Sequence, residues 1–132
     1  MVTGAAGFIG SNIVAALEAR GENNIVACDR LGNDESWRNL AKRELADIVA
    51  PEKLFGFLKR LGSEVSTIFH MGAVSSTTTS DAAHTIENNL HFPLRLWQWC
   101  AENQVRLIYA SSAATYGDGS QGFDDDGSVA GL

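Results

Sequence analysis

The chain has 132 residues, 45% hydrophobic and 20% charged, enough for one domain with a real core. Its formal net charge of −6 argues against a general surface for nucleic acid or an anionic membrane, and no apolar run is long enough to span a bilayer. The only cysteines, Cys28 and Cys100, sit in apolar surroundings and read as buried thiols, not as a disulfide or metal pair.

The first ten residues organise the rest. Val2-Thr3 is a short strand candidate, and Gly4, Gly7 and Gly10 follow it directly before a helical apolar pattern. Ile9, Ile13 and Leu17 recur every four residues with Val14 beside them, and Gly21 supplies a stop after Arg20. In such a strand–turn–helix, glycine tightens the turn and lets backbone approach a ligand. The free N–H groups and positive dipole end of the helix then face an anion such as a diphosphate. An ordinary helix-opening loop is the alternative. The Ala-rich opening lacks a basic segment, and its glycines and Asn12 interrupt it, so it does not read as a signal peptide; a cytoplasmic location is the default expectation.

Asn24 to Asp29 reads as a second, largely buried strand ending in an acid. Asp29 stands nineteen residues beyond Gly10, near the spacing at which a carboxylate meets the adenosine ribose; it could equally cap a turn. Arg30 follows at once. An Arg beside the ribose can receive a 2′-phosphate, so Asp29 leaves NAD and NADP both open. Residues 30–40 read as a loop, and Glu44 to Val49 as a short third strand. Pro51 suits a first helical turn, with Leu54, Phe55, Leu58 and Leu61 as its apolar stripe before Gly62.

Val65 to His70 is the fourth strand candidate, and His70 at its end reads first as a hydrogen-bonded structural residue. Ser75 to Asp81 are seven residues that all carry a side-chain oxygen, either a linker or a ligand loop at a strand's carboxyl end. Asp81 or Ser80 is positioned to cap the next helix, which carries Ile86, Leu90, Leu94, Trp97 and Ala101 on one face. Pro93 should kink that helix or mark its start, and Trp97 and Trp99 point to different faces. Val105 to Ala110 is the fifth strand. Ser111 and Ser112 then stand at the carboxyl end of a central strand, as a reacting hydroxyl would, or simply as turn formers. Residues 118–132 show no helix pattern. The order of elements predicts an α/β fold with a doubly wound parallel sheet.

Together, Thr3-Gly4-x-x-Gly7-Phe8-Ile9-Gly10, Asp29, His70-x-Gly72-Ala73 and Tyr109-Ala110-Ser111-Ser112 resemble the extended short-chain dehydrogenase/reductase superfamily. Gly72 to Thr78, the Asn88-Asn89 pair and Ser111 to Gly117 narrow the resemblance to the ADP-L-glycero-D-manno-heptose 6-epimerase family. The resemblance implies a Rossmann-like NAD(P)-binding fold and an isomerase acting on a nucleotide sugar, ADP-heptose. Gly4, Gly7, Phe8, Ile9 and Gly10 would lie in the phosphate turn, with Asp29 and Arg30 at the adenosine ribose. Met71, Gly72, Ala73, Val74 and Ser75 would line the cofactor, Asn88 would touch it from the following helix, and Ser112 would be the catalytic hydroxyl on the substrate carbinol. The family uses NADP, with NAD possible, and forms homo-oligomers.

Two departures stand out. A lysine expected after the second strand is replaced by Ser36, and no Tyr-x-x-x-Lys is present, since Ser120 stands four residues after Tyr116. In the family that pair lies downstream of the Ser-Ser-Ala-Ala-Thr-Tyr string. Residues 1–132 are therefore expected to be a truncated, partial NAD(P)-binding domain, with an apolar patch left uncovered on one sheet face.

Overall fold

Strand β1 (Val2–Thr3) is two residues long, yet it lies at the middle of the sheet in the computed structural model, which describes residues 1–76, 78, 80–120 and 122–123. Five parallel strands run in the order β3 (Asp47–Val49), β2 (Val26–Cys28), β1, β4 (Thr67–His70), β5 (Arg106–Tyr109). This is the doubly wound α/β arrangement expected from the order of elements. Val2 pairs with Ala27 on one side and Phe69 on the other, and Thr3 with Cys28 and His70.

Alternation along these strands separates two cores. Val2, Ala27 and the half-buried Phe69 face helix α1 (Phe8–Ala19), whose Val14 is fully buried against them. Cys28 and Ile68 face the opposite layer, formed by α2 (Leu54–Leu61) and α4 (Phe92–Asn103). Leu54, Leu58 and Leu96 are fully buried there, each contributing about 1.5–3 kcal/mol by leaving water. Pro51 opens a short 3₁₀ turn (Pro51–Lys53) into α2, where its missing N–H costs nothing. Cys28 and Cys100 are buried free thiols in this second core.

Several expectations are corrected. Residues 30–40 are not all loop: Glu35–Asn39 form a 3₁₀ turn capped by the Asp34 side chain. Strand β5 is an edge strand among the described residues, not a central one. The helix after β4 comes in three pieces, α3 (Ala82–Ile86), a π turn (Glu87–His91) and α4. Asp81, not Ser80, caps it by accepting from the His84 N–H at 2.9 Å. Pro93 has no N–H to donate back to Asn89, and the widened turn directly ahead of it absorbs that missing bond. Ile86, Leu90, Leu94, Trp97 and Ala101 all face outward, while Leu96 and Cys100 are buried and Phe92 and Trp99 half-buried against the core. On the α1 side, Ile108 of β5 is 40% exposed beside the half-buried Phe69. Thr77, Thr79 and most of the stretch after Ser120 lie outside the described residues.

Candidate functional site

A cleft of about 580 Å³ opens over the carboxyl ends of β1, β2 and β4, where open parallel sheets take their ligands. Its floor is the glycine turn. Gly4 holds a φ of +63°, and a Cβ there would lie 2.7 Å from the Gly72 nitrogen; a Cβ on Gly10 would lie 2.1 Å from the Gly4 carbonyl oxygen. The turn can close against both β4's exit and its own helix only with bare backbone at these positions. Gly7 precedes α1 with no side-chain cap, and no acidic residue stands in the first helical turn. The amide end of α1 is thus left to face the cleft, where its partial positive charge suits an anion.

Asp29, at the tip of β2, accepts from the Ala6 N–H at 2.7 Å through Oδ2 and from the Arg30 N–H at 2.7 Å through Oδ1. It both braces the glycine turn and lines the cleft. Arg30 lines the same end, and its side-chain Nε donates to Glu52 Oε1 at 2.6 Å. Asp34 sits there too, its carboxyl held below the usual range by the Ser36 hydroxyl and N–H.

A buried relay ties β1 to β4. Thr3 Oγ1 lies 2.6 Å from His70 Nδ1 and accepts from the Gly72 N–H at 3.2 Å. The Thr3 hydroxyl thus bridges the His70 ring and the backbone of the loop after β4. His70 is 6% exposed, stacks on Phe92 with ring centroids 5.6 Å apart, and burial pushes its pKa down. It is a hydrogen-bonded structural histidine at the cleft's base, in keeping with the first reading of the sequence. Cys28, in the cleft wall, has its thiol pushed up to about 12 by burial and by the carboxylates of Asp29 and Glu52.

The wall after β4 consists of Met71, Gly72, Ala73, Val74 and Ser75, and Asn88 faces it from the π turn. Asn88 donates to the His84 carbonyl at 2.8 Å. Its neighbour Asn89 does the holding, accepting from the Val74 N–H at 2.8 Å and donating to the Val74 carbonyl at 2.9 Å. The cleft therefore brings together Gly4, Gly7, Phe8, Ile9, Gly10, Asp29, Arg30, Met71 to Ser75 and Asn88. Ser112 does not line it. It stands beyond β5 as the cap of a 3₁₀ turn (Ala113–Tyr116), its hydroxyl accepting from the Ala114 N–H at 3.3 Å.

Sequence reasoning passed over Thr3, Asn89, His84, Phe92 and Pro51 as site residues. Thr3 carried a usable signal, a hydroxyl immediately before the glycine turn on a strand whose neighbour ends in His70. Asn89 carried none that separated it from Asn88.

Sheet order, glycine turn and cleft define a dinucleotide-type α/β domain, and the chain belongs to the NAD dependent epimerase/dehydratase family, whose model matches residues 1–130. It is 45% identical over 128 residues to an ADP-L-glycero-D-manno-heptose-6-epimerase of Nitratidesulfovibrio vulgaris, covering 96% of this chain and 40% of that protein. It is 42% identical over 128 residues to the enzyme of the same name from Fusobacterium nucleatum subsp. nucleatum, covering 96% and 39%. Among solved structures it resembles a UDP-N-acetylglucosamine 4-epimerase from Methanobrevibacter ruminantium bound to UDP-N-acetylmuramic acid, with TM-score 0.76, 28% identity, and 95% and 41% coverage. The chain spans about 40% of the length of the curated relatives it matches. No helix among the described residues is long and apolar enough to cross a membrane.

Proposed function

We propose that this chain forms the cofactor half of a nucleotide-sugar epimerase that inverts C6″ of ADP-D-glycero-D-manno-heptose with bound NADP or NAD. The observation that carries the reading is the convergence, in one cleft, of an uncapped helix amide end, a ribose-level carboxylate and a loop of small residues. The two relatives above, which share the name ADP-L-glycero-D-manno-heptose-6-epimerase, supply the sugar. The bound cofactor supplies a reversible hydride acceptor, so a carbinol carbon can be oxidised and re-reduced from its other face with no net redox change.

In this reading Phe8, Ile9 and Gly10 offer N–H groups to the diphosphate, with Gly4 and Gly7 giving it room. Asp29 and Arg30 meet the adenosine ribose. Met71 to Ser75 and Asn88 shield the remainder of the cofactor from water. Ser112 hydrogen-bonds the substrate carbinol, and proton transfer falls to a Tyr-x-x-x-Lys pair encoded downstream of these residues. Residues 1–132 alone would then bind cofactor weakly and not epimerise. The enzyme would work in the cytoplasm as a homo-oligomer.

A second reading, an epimerase of UDP-sugars, is favoured by the likeness to the UDP-N-acetylglucosamine enzyme. One experiment separates them. The protein, at the full length its gene encodes, is incubated with either cofactor and each nucleotide sugar, and configuration is followed by NMR. Inversion at C6″ of the ADP-heptose is expected. Turnover of UDP-sugars alone would replace the first reading with the second.

A further inference from the structure

At the ribose end of the cleft two carboxylates, Asp29 and Asp34, lie with Arg30, and a third, Glu52, holds the Arg30 side chain from beside the cleft. Asp29, Arg30, Asp34, Ser36 and Pro51 line it. Asp29 spends its oxygens on the Ala6 and Arg30 backbone N–H groups, and Asp34 spends Oδ1 on Ser36. Glu52 is different. It reaches the Arg30 side chain itself, with Oε1 at 2.6 Å from Nε. The two are 22 residues apart, and Glu52 is delivered by the rigid Ala50–Pro51 entry into the turn before α2. Its own backbone N–H, and then Arg30, hold its carboxyl below the ordinary range, so it is an anion near neutral pH.

An Arg beside the ribose is the group that can receive a 2′-phosphate. Here its guanidinium is already shared. A 2′-phosphate must either displace the Glu52 carboxylate or sit beside it as a like charge, whereas a free 2′-hydroxyl meets neither obstacle. We propose that Glu52 is a specificity-determining residue of the dinucleotide site, holding Arg30 so that NADP is disfavoured relative to NAD. This rests on the dinucleotide reading above. The pair is half exposed, 54% for Arg30 and 56% for Glu52, so the effect is moderate and screened by salt. The same exposure means that Glu52→Gln removes a charge without disturbing the core.

The test measures NAD and NADP dissociation constants by calorimetry on the protein at its full encoded length. At low salt, Glu52→Gln should tighten NADP by about three- to tenfold while NAD stays within about twofold. The gain should shrink at about 0.5 M salt and vanish in the Arg30→Ala/Glu52→Gln double variant. Weaker NADP binding in Glu52→Gln, or equal shifts for both cofactors, overturns the assignment while leaving the dinucleotide reading intact. A folded protein that binds neither cofactor overturns both.

Discussion

Gly10→Ala is the sharpest perturbation of the cleft floor. The added Cβ would lie 2.1 Å from the Gly4 carbonyl oxygen, 2.7 Å from the Gly4 carbonyl carbon and 2.9 Å from the Ala5 Cα. All three are backbone atoms of the turn, so no side chain can swing aside; helix α1 or the turn must move by about 1 Å. Overpacking typically costs about 1–3 kcal/mol when side chains can yield, so here at least about 3 kcal/mol is expected. That is a large part of the roughly 5–15 kcal/mol that holds a domain together. Gly56→Ala is the matched control. Gly56 lies inside α2 with nothing within 4 Å of the added Cβ, so the change should stabilise by about 0.5–1 kcal/mol. Urea unfolding followed by circular dichroism and tryptophan fluorescence gives both values from midpoint and slope. Gly10→Ala within 1 kcal/mol of wild type, or a destabilising Gly56→Ala, would refute the reasoning.

His70 has a pKa lowered from its usual 6.5 by burial, so its folded form prefers neutrality. Its stabilisation is complete above the unfolded value and is lost as pH falls from 6.5 through the folded value, at up to about 1.4 kcal/mol per pH unit. His70→Gln should flatten the acid limb of a Tm-against-pH curve, and an unchanged limb would refute this. Cys28, with its thiol pushed up to about 12, should resist alkylation at pH 8 in the native protein and react on unfolding; rapid native labelling would place it outside the core. Ser112→Ala should lower kcat and leave cofactor affinity nearly intact, and a loss of cofactor binding with unchanged kcat at saturation would move Ser112 to the cofactor.

The glycine turn and the parallel, doubly wound class of sheet were legible because backbone geometry leaves few choices at Gly4 and Gly10, and short apolar strands before polar loops mark a parallel sheet; the place of β5 at the edge was not. The core face of α4 was not. Phe92, Leu94, Leu96, Trp97, Trp99 and Cys100 put apolar side chains on most sides of the helix, and the π turn at Glu87–His91 shifts the register between its two halves. An apolar stripe carried through from Ile86 therefore lands outside. The Thr3–His70 bond joins residues 67 positions apart, so it exists only once the sheet has formed. Arg30's tie to Glu52 was hidden for the same reason, because the two meet only once β2 and β3 have paired.

The placement of β1 has a consequence for synthesis. Met1, Val2 and Thr3 leave the ribosome well before their second flank, residues 67–70, with the Phe69 N–H bonding the Met1 carbonyl and the Met71 N–H that of Thr3. At about 5–20 residues per second, that partner arrives roughly 3–14 s later. Through that interval one edge of the nascent β1 is bare, and its Val2, fully buried in the finished fold, lacks part of its cover. Strand β1 is flanked on both sides only after β4 has followed it out, and until His70 has cleared the tunnel its bare edge is the kind of surface that chaperones shield.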